Sequence, residues 1–214
     1  QGLSLQEKCQ TLSSIVPHAT YSVSNLLFEK IKQHNSGEII SVHNQETSTE
    51  DMLFSQGSGE LYNQLKNFGN LNVSGISALR TVLPKMPQAP TLLVHNTYTS
   101  QTDVKWAEMQ HKNLFWCTCP NANLYIEGRL PNYENFEGVK MTIGTDSLAS
   151  NHTLSVWDEV QTILKHKDLG LNTVLVWACK NGAEFLQLQD FGTFQKGKRP
   201  GVNLVHENKV QKLY

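Results

Sequence analysis

The chain has 214 residues, enough to bury a sizeable core as one large domain or two small ones. Its 18 basic residues nearly balance its 19 acidic ones, so no net basic surface indicates nucleic acid or an anionic membrane as a partner. No apolar stretch is long enough to span a bilayer, and no signal peptide is recognisable. Four cysteines without the spacing of a disulfide framework predict a reducing, cytoplasmic setting.

Five short apolar segments end in side chains that are capable of chemistry. They cover residues 15–18, 39–43, 91–95, 115–120 and 141–146, and they lead to His18, His43, His95, Cys119 and Asp146. Buried strands that end in polar residues are typical of a parallel barrel, whose site lies at the carboxyl ends of the strands. We therefore expect the three histidines and the aspartate to converge on one pocket.

Helical patterns separate these segments. They cover residues 4–12, 25–34, 59–68, 103–111, 156–165 and 171–188. The alternation of strand and helix predicts an α/β architecture with a parallel sheet. The tail differs, because residues 192–201 are rich in turn formers and the two runs around Asn208 are predicted to form a hairpin.

The number of strands predicts only part of a barrel. A complete (β/α)8 barrel typically needs about 250 residues, and five core strands are recognisable here. We expect residues 1–190 to form the C-terminal portion of such a barrel, about strands 4 to 8. Residues 191–214 are expected to form a β appendage, the C-terminal part of a small composite β domain. The open sheet edges would have to be covered, which implies the N-terminal part of the same enzyme as a partner.

The clearest local motif is His43-x-x-Glu46. A histidine at a strand end can ligate a metal ion, and a carboxylate three residues later can shuttle protons beside it. The alternative is a histidine hydrogen-bonded to the backbone, with Glu46 solvated in a loop.

Asp146 follows a buried strand, where a cation would explain an ionised carboxylate. The aspartate could also take a proton from metal-activated water, whereas the alternative is a helix N-cap.

His95 could bind a metal or stabilise an oxyanion, although a satisfied core histidine is the commoner explanation for one histidine after four apolar residues. His18 could face a substrate, and the alternative is again a structural role.

Cys117 and Cys119 lack the spacing of a zinc knuckle. We interpret them as buried core residues. The following segment, residues 119–123, is predicted to be a loop at the barrel mouth.

Taken together and in this order, the segments resemble the amidohydrolase superfamily, in particular its branch of cytosine, adenosine and guanine deaminases and triazine hydrolases. The motifs that carry the resemblance are Pro17-His18-Ala19-Thr20-Tyr21-Ser22, His43-x-x-Glu46, Val94-His95-Asn96, Cys119-Pro120-x-x-Asn123, Gly144-Thr145-Asp146-Ser147 and Phe191-Gly192-Thr193-Phe194-x-x-Gly197-Lys198. They span nearly the whole chain.

The resemblance implies a role for each matched residue. His43 and Asp146 would hold one divalent metal ion, zinc or alternatively iron, which lowers the pKa of bound water toward ~7. Glu46 would shuttle the proton to a ring nitrogen of the substrate, and His95 would hydrogen-bond the attacking oxygen or the substrate.

The same resemblance places two residues in substrate binding. His18 would contact the substrate, and Ser150 would lie at the rim of the pocket. The implied substrate is a small heterocycle, and a homodimer is implied by the family alone.

The chain also departs from the family pattern. It contains no His-x-His, the pair that relatives carry on their first barrel strand. No lysine stands where binuclear relatives place a bridging ligand, so a single metal is expected. Asn44-Gln45 replaces a small apolar pair before Glu46, a change expected to alter pocket polarity without abolishing metal binding.

The expected function is that of a fragment of a metal-dependent hydrolase acting on C–N bonds other than peptide bonds. It would deaminate a purine- or pyrimidine-like heterocycle, and the isolated chain would be inactive without the His-x-His ligands. The alternatives are a chlorohydrolase or amide hydrolase that uses the same site, and a catalytically dead relative or fragment with only a binding role.

Overall fold

A computed structural model describes residues 2–9, 13–68, 71, 73–206 and 209–214. Its α-helices are α1 (Gly2–Gln6), α2 (Asn25–His34), α3 (Ser48–Gln56), α4 (Gly59–Leu65), α5 (Ala78–Val82), α6 (Gln101–Gln110), α7 (Pro120–Glu127), α8 (Val156–His166), α9 (Leu171–Leu175) and α10 (Gly182–Phe185). The strands are β1 (Ile40–Asn44), β2 (Thr91–His95), β3 (Leu114–Thr118), β4 (Met141–Ile143), β5 (Asn203–His206) and β6 (Lys209–Lys212).

The first four strands form one parallel sheet in the order β1-β2-β3-β4. Val42 pairs with Leu93, and Leu93 pairs with Trp116, so each strand is hydrogen-bonded to the next one along the chain. Helices connect successive strands, as parallel pairing requires. The predicted α/β architecture with a parallel sheet is confirmed.

The predicted strand at residues 15–18 does not form. A single parallel bridge joins Ala19 to His43, supported by the His43 amide, which donates to the His18 carbonyl at 3.0 Å. Pro17 has no amide hydrogen, so this segment cannot supply a regular ladder of hydrogen bonds.

The two faces of the sheet are packed differently, because successive strand residues point to opposite sides. One face gives the main core its strand residues Ile40, Val42, Leu93, Leu114, Trp116 and Met141, which pack with the surrounding helices. The other face carries a smaller cluster around Cys117, Cys119 and Val94. The prediction that the two cysteines are buried core residues is confirmed.

Several helices differ from their predicted extents. The predicted loop at residues 119–123 is wrong, because α7 begins at Pro120, and proline is favourable in the first turn of a helix. The predicted helix 171–188 is interrupted by a π-helical segment, Val176–Asn181. The predicted helix 4–12 ends early at Gln6, and its residues 10–12 lie outside the described residues.

The tail forms the predicted hairpin of β5 and β6, in which Val205 pairs with Val210. Asn208, the predicted turn residue, lies outside the described residues. Before the hairpin, Gly192 has a φ of 85°, and a Cβ there would meet the Ala183 Cβ at 2.8 Å. Glycine is therefore needed where the tail turns against the last helix.

The division into residues 1–190 and 191–214 stays a prediction. Among the described residues, no helix has both the length and the hydrophobicity of a membrane span.

Candidate active site

Three of the predicted site residues meet at the carboxyl ends of the strands. The potential ligand atoms of Glu46, His95 and Asp146 all lie within 4.8 Å of one another. Glu46 follows β1 by two residues, His95 is the last residue of β2, and Asp146 follows β4 by three residues. The parallel sheet brings them together because all of its strands end at the same edge.

The backbone at these strand ends adopts an uncommon conformation. Gln45, His95, Asn96 and Asp146 have φ values of 45°, 74°, 57° and 55°, in the left-handed region. Such conformations cost on the order of 1–3 kcal/mol each and are found preferentially at functional sites. The concentration of strain at one edge supports a functional interpretation of this edge.

His43 and His18 extend the cluster beyond these three residues. The His43 ring centroid is 4.9 Å from that of His18 and 5.1 Å from that of His95, in edge-on contacts. His43 lies beside the 4.8 Å group rather than within it. The exposed His18 ring is oriented by Ser22, whose hydroxyl lies 2.9 Å from the His18 Nδ1.

His95 is almost fully buried, and one of its two ring nitrogens is held by a neighbouring side chain. Its Nδ1 lies 2.9 Å from the Asn123 Oδ1. Because a carbonyl oxygen can only accept, the His95 Nδ1 must carry the hydrogen in this arrangement. The other nitrogen, Nε2, faces the Glu46 Oε1 at 3.5 Å and is available to a proton or a ligand.

The electrostatics of the site favour neutral histidines. Burial and the neighbouring His95 and His18 lower the pKa of His43, and burial also lowers the pKa of His95. Burial raises the pKa of Glu46, partly opposed by His43. These directions disfavour an ion pair between His95 and Glu46. They leave neutral imidazoles, which can ligate metals, beside a carboxyl group that can exchange protons nearer to neutral pH.

Asp146 is anchored by the turn that follows it. The buried Ser150 hydroxyl donates to the Asp146 Oδ2 at 2.5 Å, and the Asn151 side chain donates to the Thr145 carbonyl at 2.7 Å. Ser150 thus touches the candidate metal ligand directly. Its predicted contact with a substrate stays a prediction.

Asn44 and Gln45 are both buried, and their side chains bond to neighbouring polar groups. Their expected effect on the polarity of the pocket stays a prediction. The Asn44 amide donates to the Asn96 Oδ1 at 3.0 Å, and the Thr99 hydroxyl donates to the Gln45 Oε1 at 2.7 Å. These polar side chains form a network beneath the strand ends, which stabilises the turn leading to Glu46.

Sequence reasoning missed two residues that shape the site. Asn123 stood in the quoted motif without an assigned role, and the structure places it against His95. Glu50 had no role assigned from the sequence, yet its carboxylate accepts from the backbone of residues 45 and 46. The pattern Thr47-x-x-Glu50 is that of a capping box, a signal that would have predicted the start of α3.

The donor atoms fit a divalent transition metal. Imidazole nitrogens and carboxylate oxygens are ligands of zinc and of non-haem iron. Glu46, His95 and Asp146 supply one nitrogen and two carboxylates within 4.8 Å, with the neutral His43 ring adjacent.

A family model for the amidohydrolase family matches residues 8–212. The chain belongs to the amidohydrolase family. Within this family, the chain is 27% identical over 204 residues to adenosine deaminase of Helicobacter pylori. The alignment covers 90% of this chain and 49% of the deaminase. This amidohydrolase chain therefore spans about half the length of that curated relative.

Solved structures of related enzymes share its fold. The crystal structure of Helicobacter pylori aminofutalosine deaminase is similar with a TM-score of 0.82 and 27% identity, covering 93% of this chain and 53% of that one. Atrazine chlorohydrolase from Arthrobacter aurescens, complexed with zinc, is similar with a TM-score of 0.72 and 15% identity, covering 94% and 45%. At that identity the second similarity shows the fold alone. The predicted C-terminal portion of a (β/α)8 barrel is confirmed.

Proposed function

We propose that this chain forms the C-terminal half of a metal-dependent hydrolase that deaminates a purine nucleoside or a related heterocycle. The observation that carries the proposal is the convergence of Glu46, His95 and Asp146 at the strand ends. The similarity to adenosine and aminofutalosine deaminases favours an amino-substituted purine as the substrate class.

A divalent metal ion, zinc or alternatively iron, held by His43 and Asp146, would supply activated water for attack on the ring carbon. Asp146 takes a proton from the attacking water. The Glu46 carboxyl delivers a proton to the adjacent ring nitrogen, and the His95 Nε2 orients the attacking oxygen or the substrate. The carbon–nitrogen bond to the exocyclic amine then breaks, and the amine takes the proton held by Asp146 and leaves as ammonia. The attacking oxygen gives its remaining proton to Glu46 and becomes the ring carbonyl.

The substrate would lie against the outer histidine of the cluster. His18 is exposed and its ring contacts His43, so its free edge is available to a heterocycle. Ser150 would contact the substrate only near Asp146, to which its hydroxyl already donates.

The remaining ligands would come from a part outside these residues. The chain has eight histidines and no His-x-His pair. We therefore propose that the 214 residues alone are inactive, and that an N-terminal part of the same enzyme completes the site. The barrel part at residues 1–190, the β appendage at 191–214, a cytoplasmic location and a homodimer belong to this proposal.

The test is to assay the protein together with its N-terminal part, supplied in the same chain or as a second chain. The substrates are a panel of aminopurine nucleosides, aminopyrimidines and chlorotriazines. Turnover is measured as release of ammonia or chloride, and metal content is measured by mass spectrometry. Ammonia release from a purine nucleoside, dependent on the metal, is the expected result. The isolated chain is the matched control.

Other outcomes of that panel would contradict the proposal. Release of chloride alone would favour a chlorohydrolase that uses the same site. Absence of both metal and turnover in the complete protein would favour a role in binding only.

A further inference from the structure

The Glu50 carboxylate is buried at the start of α3, with 1% of its residue surface exposed. Its Oε1 accepts from the Gln45 amide at 2.9 Å and from the Thr20 hydroxyl at 2.5 Å, and its Oε2 accepts from the Glu46 amide at 3.1 Å. Both oxygens are thus occupied, two of the three donors being backbone groups of the turn that carries Glu46.

These contacts differ from those of an ordinary helix cap. In a capping box the glutamate reaches back to the amide of the N-cap residue, here Thr47. The Glu50 side chain reaches further, to the two residues before Thr47. It therefore fixes the loop between the strand and the helix.

Burial of this carboxylate has an energetic cost that no salt bridge among the described residues offsets. The salt bridges of the described residues do not include Glu50. Burial raises the pKa of Glu50 to about 7, although its three hydrogen bonds act in the opposite direction. A buried acid without a positive partner requires a compensating advantage.

The same turn is also held by the Gln45 side chain. Gln45 has a φ of 45°, a backbone angle that residues other than glycine rarely adopt. Its amide donates to the Asp51 Oδ2 at 2.7 Å, and its oxygen accepts from the Thr99 hydroxyl at 2.7 Å. The turn is therefore held both at the Gln45 side chain and at the backbone amides of residues 45 and 46.

We infer that Glu50 is a positioning residue, which holds the backbone of Gln45 and Glu46 so that the Glu46 carboxyl meets the His95 Nε2 and the substrate. The inference rests on the proposed function, in which Glu46 shuttles a proton. Misplacement of a reacting group by about 1 Å can cost on the order of 10²-fold in rate.

The test is Glu50→Gln in the complete protein. A glutamine amide offers one acceptor oxygen and one donor group, so it cannot accept from the amides of residues 45 and 46 on two different atoms. We expect kcat to fall by about 10²-fold, with KM nearly unchanged. Glu60→Gln, an exposed glutamate on α4, is the matched control and should retain wild-type kcat.

Thr20 provides a second pair of variants that leave both backbone contacts in place. Thr20→Val removes one donor to the Glu50 Oε1, and we expect a smaller loss of kcat than in Glu50→Gln. Thr20→Ser keeps the hydroxyl and should restore wild-type kcat. If Glu50→Gln does not fold, a normal kcat in Thr20→Val overturns the inference.

A crystal structure of the variant separates this inference from the proposed function. In Glu50→Gln, the Glu46 carboxyl should move away from the His95 Nε2, from which it is 3.5 Å distant in the wild type. If only Thr20→Val folds, the same displacement is expected in that variant. Failure of the wild-type protein to deaminate any substrate would refute the proposed function, and the displacement of Glu46 would then decide the inference alone. An unmoved Glu46 carboxyl, or wild-type kcat in Glu50→Gln, would overturn it.

Discussion

His95 and His111 are two histidines with equal burial and different surroundings, since each is 1% exposed. The His111 Nε2 donates to the Pro87 carbonyl at 2.9 Å, and its Nδ1 accepts from the Asn113 amide at 3.3 Å. Both nitrogens of His111 are therefore used by backbone groups that the fold must satisfy in any case.

His95 uses only one nitrogen for structure. Its Nδ1 contacts Asn123, whereas its Nε2 faces Glu46 in the group that also contains Asp146. Burial alone therefore does not identify a functional histidine. The partner of the second ring nitrogen distinguishes the two residues, and it favours a chemical role for His95 over the satisfied core histidine considered from sequence.

The largest expected effect is that of a substitution at Glu46, which faces the His95 Nε2. Glu46→Gln removes the proton carrier beside the Nε2, and we expect kcat of the complete protein to fall by about 10²–10⁴-fold. Thermal unfolding should change little, because the salt bridges of the described residues give the Glu46 carboxyl one partner, His95, at 3.5 Å. Steady-state kinetics and a melting curve check both parts, and wild-type kcat would refute the role of Glu46.

The next effect concerns the buried acid that supports Glu46. Burial raises the pKa of Glu50 from 4.5 to about 7, so the folded protein keeps this proton over a range in which the unfolded chain has lost it. The stabilising contribution is fully present below about pH 4.5 and is lost as the pH rises to about 7. The total loss is about 3 kcal/mol.

Two histidines act in the opposite direction in part of this range, because the pKa values of His43 and His95 are lowered. Their contribution rises with pH up to their unfolded pKa of about 6.5. The quantity to measure is therefore the difference in unfolding free energy between wild type and Glu50→Gln, by urea denaturation at several pH values. A difference that does not change between pH 4.5 and 7 would contradict the assignment.

A smaller effect separates the two buried histidines directly. His111→Ala leaves the Pro87 carbonyl and the Asn113 amide without their partner, and we expect the free energy of unfolding to fall by about 1–3 kcal/mol. Activity per folded molecule should stay at the wild-type value. His95→Ala should instead lower the activity per folded molecule, and urea denaturation combined with kinetics distinguishes the two. Loss of activity in folded His111→Ala would contradict the conclusion that His111 is a structural residue only.

The smallest effect tests how His95 is oriented. Asn123→Ala removes the acceptor of the Nδ1 hydrogen, so the ring can rotate or change tautomer. We expect kcat to fall about tenfold, as loss of one hydrogen bond of ~1.4 kcal/mol would produce. Asn113→Ala, at an exposed asparagine, is the control for kinetics. Equal kcat values in the two variants would show that Asn123 does not orient His95.

Much of the fold could be predicted from local sequence patterns. Ser24 before an amphipathic run predicts α2, and its hydroxyl does accept from the Leu27 amide at 3.3 Å. The apolar segments ending at His43 and His95 predict β1 and β2. Failures arose where one residue type has two meanings: Pro120 was interpreted as a loop residue and begins a helix, whereas Pro17 prevents the strand expected around it.

The sequence by itself determined the parallel α/β architecture and the identity of His43, Glu46, His95 and Asp146 as candidate site residues. Strand periodicity and the residue type at a strand end are local properties, so one sequence contains them. Only the tertiary structure decided which nitrogen of His95 is open, and that Glu50 and Asn123 support the site. Those contacts join residues 4 to 28 positions apart, and their distances depend on how separate strands and helices pack.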